Sequence, residues 1–118
     1  MSHETGWIGV DLDGTLAFYN GWNDGLIGAP IPAMVERVKA WLAAGKTVKV
    51  FTARISGLSP TELDFEWRKI RQWCRDHIGV SLPITCEKDR SMIELWDDRA
   101  VQVIPNTGER ADGREVHA

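Results

Sequence analysis

Asp11 and Asp13 stand one residue apart in the run Val10-Asp11-Leu12-Asp13-Gly14-Thr15-Leu16. The segment just before them, Trp7-Ile8-Gly9-Val10, reads as a buried strand. Two carboxylates therefore arrive where a strand ends, and a glycine turn follows at once. Aspartate is depleted in strands, and a buried unpaired carboxylate is costly. A cation should compensate the pair, and magnesium, a hard ion that takes oxygen ligands, is the candidate. A metal-assisted aspartate nucleophile accounts for this placement better than packing does.

Other polar residues fall at similar places along the chain. Thr47-Val48-Lys49-Val50-Phe51 alternates as a strand and stops at Thr52-Ala53-Arg54. Met92-Ile93-Glu94-Leu95-Trp96 reads as another strand and ends in Asp97-Asp98. Helical patterns lie between the strands. Pro30 and Pro32 introduce a helix in which Ile31, Met34, Val35, Val38, Trp41 and Leu42 mark one apolar face, and Gly45 ends it. Ser59-Pro60-Thr61-Glu62 is a capping box with proline at the first helical position. The helix it opens turns Leu63, Trp67, Ile70, Trp73 and Cys74 inward and stops near Gly79. Leu82–Cys86 is a short third strand and Val101–Ile104 a fifth. Residues 14–30, rich in Gly, Asn, Asp and Pro, should be irregular, and 105–118 should form a loosely ordered tail.

Strands alternating with helices argue for a parallel α/β sheet. Such sheets bind ligands outside the carboxyl ends of their strands. Asp11 and Asp13, Thr52, and Asp97 and Asp98 would then converge on one spot from three separate strands. That convergence weighs more than any single motif.

The bulk composition fits this picture. A chain of 118 residues makes one domain, with 43% apolar and 26% charged residues. The net charge of −3 suggests no basic nucleic-acid surface. No apolar run is long enough for a membrane span. The start Met1-Ser2-His3-Glu4-Thr5-Gly6 lacks the basic and apolar regions of a signal peptide, so a cytoplasmic protein is expected. Cys74 and Cys86 have no metal-ligand spacing and read as reduced thiols. His3, His77 and His117 have no catalytic spacing and read as solvated. Most of the six tryptophans should anchor the core, while Trp22 lies in a glycine-rich loop.

Asp11-Leu12-Asp13-Gly14-Thr15-Leu16 resembles the first motif of the haloacid dehalogenase (HAD) superfamily of phosphohydrolases. Phe51-Thr52-Ala53-Arg54 is similar to its second motif, Lys88 fits the third, and Asp97-Asp98 fits the acidic fourth. The four stand in order across residues 7–104. The resemblance implies a three-layer, Rossmann-like, mostly parallel sheet with helices on both faces. It also implies roles. Asp11 would attack phosphorus to form an aspartyl-phosphate. Asp13 would serve as general acid and then base, with its backbone carbonyl on the metal. Thr52 would hydrogen-bond a phosphoryl oxygen, and Lys88 would neutralise charge. Asp97, which directly follows the strand, would complete the Mg²⁺ site with Asp11 and Asp13, with Asp98 as the other candidate ligand. The plainer alternative for Lys88, carrying less weight, is a solvated loop lysine like Lys46, Lys49 and Lys69. Arg54 and Arg99 suit either substrate contact or surface salt bridges. A dehalogenase is disfavoured, because the aspartate at position 13 serves phosphoryl transfer.

Many relatives insert a cap domain after the first or second motif. Only one helix and a strand's worth of chain lies in each interval here, so the resemblance is to the small capless members. A capless site is open. Either a large phosphorylated substrate excludes water itself, or a second subunit covers the site. The loop Phe18–Gly25 should overhang the pocket, where Tyr19 and Trp22 could stack on a base or sugar; the plainer reading is that Trp22 packs on its own loop. The expected activity is Mg²⁺-dependent phosphomonoester hydrolysis, on a nucleotide, a polynucleotide end or a small phosphometabolite. Nucleic acid enters only as substrate, because the acidic net charge argues against tight polynucleotide binding. The alternatives are a non-catalytic phosphate-binding module and a phosphotransferase using the same residues.

Overall fold

The computed structural model describes residues 6–114. Four strands and two helices alternate: β1 (Trp7–Val10), α1 (Pro32–Ala43), β2 (Thr47–Phe51), α2 (Pro60–His77), β3 (Ile84–Thr85) and β4 (Met92–Trp96). Short 3-10 turns occupy Asn23–Gly25 and Ala53–Ile55. The strands form one all-parallel sheet in the order β3-β2-β1-β4. This is the parallel, Rossmann-like α/β architecture expected from the alternation of elements. β1 is central, and all four of its residues are buried, as a strand flanked by parallel neighbours on both sides should be.

The local signals act as their chemistry requires. Ser59 Oγ accepts from the Glu62 amide at 3.2 Å, and Glu62 Oε1 accepts from the Ser59 amide at 2.9 Å, so the capping box is reciprocal. Pro32 occupies the first turn of α1, where no amide proton is needed. β3 is shorter than expected. Pro83 has no N–H to give the ladder and only its carbonyl pairs, accepting from Val50 at 2.8 Å, which suits an edge strand.

The layering departs from expectation: both helices lie on one face of the sheet. Register places Ile8 with Val48 and Val10 with Val50, and their side chains share one face. Met34, Val35 and Val38 of α1 and Ile70, Trp73 and Cys74 of α2 join those four in a single core. The reason is topological. From β1 to β2 to β3 the chain steps in one direction, and successive right-handed crossovers in one direction put their helices on the same side. The return from β3 to β4, residues 86–91, contains no helix. The opposite face carries Trp7, which is buried although no helix among the described residues covers it. Its indole N–H donates to Asp89 Oδ1 at 2.8 Å, and Lys49 Nζ sits 4.5 Å above the ring.

Residues 101–104 do not form a fifth sheet strand. Val103 instead bridges Arg110 in antiparallel fashion, with Ala111 N donating to Gln102 O and Ile104 N to Glu109 O, each at 2.8 Å. Through Ala111, the stretch expected to be a loosely ordered tail is thus the return arm of a small hairpin; residues 115–118 lie outside the described ones. No helix among the described residues is long and apolar enough to cross a membrane. Cys74 and Cys86 are both free thiols.

Candidate active site

Leu12 is fully buried. It therefore fixes the direction of its neighbours: with Leu12 in the core, Asp11 and Asp13 turn to the opposite side, the crevice at the carboxyl ends of the strands. The Leu12 carbonyl accepts from the amides of Leu16 and Ala17 at 3.0 and 2.8 Å, which folds the chain back directly after the two aspartates. Thr52 directly follows β2, beside β1, and Asp97 and Asp98 directly follow β4, on the other side of β1. Asp11 N donates to Trp96 O at 2.9 Å, so the first and last acidic segments are joined through their backbones.

A cavity of about 510 Å³ opens there, lined by Asp11, Asp13, Thr52, Arg54, Asp97 and Asp98 together with Tyr19, Trp22, Leu58 and Arg99. The size is that of a small-ligand site. Carboxylate oxygens of Asp11, Asp97 and Asp98 lie within 4.8 Å of one another. Thr15 Oγ1 donates to Asp98 Oδ1 at 3.3 Å, and Asp97 Oδ1 accepts from the Arg99 amide at 2.7 Å. Crowding has a cost. The Asp11 carboxyl is pushed up to about 7, first by burial, then by its hydrogen bond with Asp98 and the charges of Asp97 and Asp98, with only the Leu12 amide opposing. Three hard oxygen donors arranged so that they repel one another fit a divalent cation such as magnesium.

Asp13 is held differently. Arg54 Nε donates to its Oδ2 at 2.6 Å and Nη2 to its Oδ1 at 2.9 Å, a two-pronged contact. The Arg54 side chain is only 2% exposed. Burial works against its charge, but Asp13 and Glu66 outweigh that and raise its pKa above the ordinary arginine value. Thr52 is buried, and its Oγ1 accepts from the Arg54 amide at 3.1 Å.

Most of the residues expected at the site therefore line one cavity, with Lys88 the exception. Lys88, expected to neutralise phosphoryl charge, is exposed and does not line the cavity. It lies on the return loop that leaves edge strand β3 for the opposite face. The cations on the cavity wall are Arg54 and Arg99. Arg54, expected as a substrate contact or a surface salt bridge, lines the cavity and forms a salt bridge that is buried rather than on the surface, with Asp13. Tyr19 and Trp22 line the cavity and are exposed. The Trp22 ring packs over the Arg54 guanidinium at 4.7 Å, and its carbonyl accepts from Gly25 within the loop. His77 packs against Trp73, with ring centroids 4.8 Å apart; His3 and His117 lie outside the described residues.

Sequence reasoning missed Glu66 and Lys69. Glu66 is 3.5 Å from Arg54 Nη1 and 2.9 Å from Lys69 Nζ, and Lys69 donates to Gly25 O at 2.6 Å. The signal was present: Glu66 shares the inward stripe of α2 with Ile70 and Trp73, at i+4 and i+7, where a carboxylate needs a partner.

No protein-family model matches the chain. No curated protein matches it significantly. Among solved structures, a conserved protein from Bacteroides thetaiotaomicron is similar over 86% of this chain and 82% of its own, at 23% identity and a TM-score of 0.55. The likeness is one of fold.

Proposed function

We propose that the protein is a Mg²⁺-dependent phosphomonoesterase of the capless HAD type, acting through an aspartyl-phosphate. One observation carries the reading: Asp11, Asp13, Thr52, Asp97 and Asp98, from three strand ends, line one cavity with Asp11, Asp97 and Asp98 in mutual contact range. Asp11, Asp97 and Asp98 would hold the cation, with the Asp13 backbone carbonyl beside them. When bound, it would lower the repulsion between an anionic nucleophile and an anionic substrate.

The protein's own groups perform the chemistry. An Asp11 carboxylate oxygen bonds to phosphorus while the ester P–O bond breaks, and its electron pair leaves on the alcohol oxygen. Protonated Asp13 gives that oxygen its proton. In the second half Asp13, now a carboxylate, takes a proton from water. The water oxygen bonds to phosphorus, and the bond to Asp11 breaks. The Thr52 hydroxyl donates to a phosphoryl oxygen. Arg99 is the wall cation left to meet the phosphate, because Arg54 is committed to Asp13.

The cavity is open, and Tyr19 and Trp22 offer aromatic faces at its mouth. These support a substrate with a planar group beside the phosphate, a nucleotide or a polynucleotide end. Two free thiols support a cytoplasmic setting. Phosphate release tests the activity, with Mg²⁺ or chelator, for wild type beside Asp11→Asn. The panel comprises an aryl phosphate, nucleoside 5′- and 3′-monophosphates, 3′-phosphorylated oligonucleotides, sugar phosphates and a phosphopeptide. Metal-dependent release that vanishes in Asp11→Asn supports the reading. A folded protein that releases nothing from any of them contradicts it.

A further inference from the structure

We propose that Arg54 is a positioning residue that sets the carboxyl plane of the general acid Asp13 and fixes that acid to the loop at the mouth of the cavity. The inference rests on the phosphomonoesterase reading above.

Every polar group of the Arg54 side chain is engaged. Nε and Nη2 fork onto the two oxygens of Asp13. Nη1 donates to Gly25 O at 2.7 Å, and Nη2 also reaches Leu26 O at 3.2 Å. Its flat face carries the Trp22 ring. Behind it, Glu66 Oε1 is buried, has no hydrogen bond, and lies 3.5 Å from Nη1. Lys69 closes the arrangement by donating to the same Gly25 carbonyl. The backbone of Arg54 is itself fixed by the Thr52 hydroxyl.

A guanidinium is a rigid planar fork, so two parallel hydrogen bonds define the orientation of a carboxylate as well as its position. Each oxygen of Asp13 gives one lone pair to the fork and keeps another. A proton on that second position is the one available to a leaving alcohol. General acid catalysis depends on that aim, since a proton transferred in the transition state must lie along the line to the leaving oxygen. Among the described residues, the side-chain hydrogen bonds to the Asp13 carboxylate both come from Arg54. The same guanidinium holds the loop residues Trp22, Gly25 and Leu26. Loop and acid therefore share one anchor.

Leaving-group dependence distinguishes aim from mere structural support. A phenolate with electron-withdrawing substituents departs without a proton, whereas an alkoxide needs one. Arg54→Lys keeps a charge beside Asp13 and Glu66 but cannot form the fork. Single-turnover release of the phenol or alcohol reports the first half-reaction alone, free of the dephosphorylation step that both esters share; it should be measured with an activated aryl phosphate and with an alkyl phosphate, for wild type, Arg54→Lys, Asp13→Asn and the double variant. Arg54→Met serves as a second probe, with its fold checked by circular dichroism. We expect Arg54→Lys to lower the first-step rate for the alkyl ester by about 10²-fold, and for the aryl ester by less than about tenfold. In the Asp13→Asn background the same change should cost almost nothing, because a residue acting through Asp13 has nothing left to position. Equal losses on both esters, or losses that multiply with Asp13→Asn, would overturn the inference while leaving the phosphatase reading intact. A wild type that hydrolyses neither ester would overturn the reading and this inference together.

Discussion

Gly14 carries the most direct structural consequence of bringing Asp98 against the first acidic turn. Its φ is +91°, and a methyl group there would sit 2.6 Å from Asp98 Oδ2, 2.8 Å from Cγ and 3.0 Å from Oδ1. All three carboxylate atoms are too close, so spinning the carboxylate about its own axis relieves nothing. The side chain of Asp98 must swing away, breaking its bond from Thr15 and leaving Asp11 and Asp97. Gly21 is an internal control: its φ is +96°, and an added methyl meets nothing within 4 Å. Each alanine variant should lose about 1–2 kcal/mol from backbone strain alone. For Gly14→Ala part of that loss is returned, since moving Asp98 relieves the crowding at Asp11. The divergence should appear with magnesium. At a concentration near 100 Kd, wild type and Gly21→Ala should gain about 2.7 kcal/mol. If losing Asp98 weakens the site at least tenfold, Gly14→Ala should gain about 1.4 kcal/mol less. That difference is about 5 °C in Tm for a domain this size. Thermal unfolding of the three proteins, with Mg²⁺ and with chelator, reads it directly. An unchanged Mg²⁺ gain in Gly14→Ala, or an equal loss of it in Gly21→Ala, would refute the placement of Asp98 as a ligand.

Other outcomes follow from the same geometry. Asp11 rises from 3.8 to about 7, so the folded protein without metal holds a proton there that the unfolded chain has released. Stability from this group is present at low pH and is lost as pH climbs from about 4 through 7. Magnesium should therefore raise the urea midpoint more at about pH 8 than at about pH 5.5; equal increments would count against metal binding at Asp11. The Cys74 thiol is buried and pushed up to about 11, while Cys86 is half-buried. A thiol reagent should label Cys86 alone in the native protein and both cysteines after denaturation; native labelling of Cys74 would mean the α2 face is not packed as described. Trp22→Ala should raise KM for a nucleoside monophosphate several-fold more than for a small sugar phosphate, on the order of the 1–3 kcal/mol of a base stack. Unchanged kinetics would remove base stacking from the account.

The parallel sheet and the convergence of three strand ends were legible because strand periodicity and the positions of Asp11, Asp13, Thr52, Asp97 and Asp98 are local properties. Helix α2 was legible for the same reason, through Ser59, Pro60 and Glu62. What local pattern does not carry is direction in space. Strand order decides that α1 and α2 share a face, and strand order is a long-range property. Lys88 shows the same limit. Its spacing matches a motif, yet β3 is an edge strand and the exposed Lys88 after it is not among the residues that line the cavity. Arg54 is the converse case. An arginine two residues past a strand end looks like a surface cation, but Thr52 caps its backbone and Asp13 meets it from 41 positions earlier in the chain. Residues 101–104 carried the apolar alternation of a strand. They pair with 109–111 in a local turn instead, because a nearby partner closes with less loss of chain entropy than a distant sheet edge.

The central claim is that Asp11 becomes phosphorylated, and it can be observed directly. Asp13→Asn should still accept the phosphoryl group from an activated aryl phosphate, which needs no acid, and should then stall, because no base remains to activate water. Intact-protein mass spectrometry after an acid quench, followed by peptide mapping, would locate the adduct. The account requires a single phosphoryl group on Asp11 in Asp13→Asn and none in Asp11→Asn. Phosphate release by wild type with no phosphoprotein in Asp13→Asn, or an adduct on any residue other than Asp11, would contradict it.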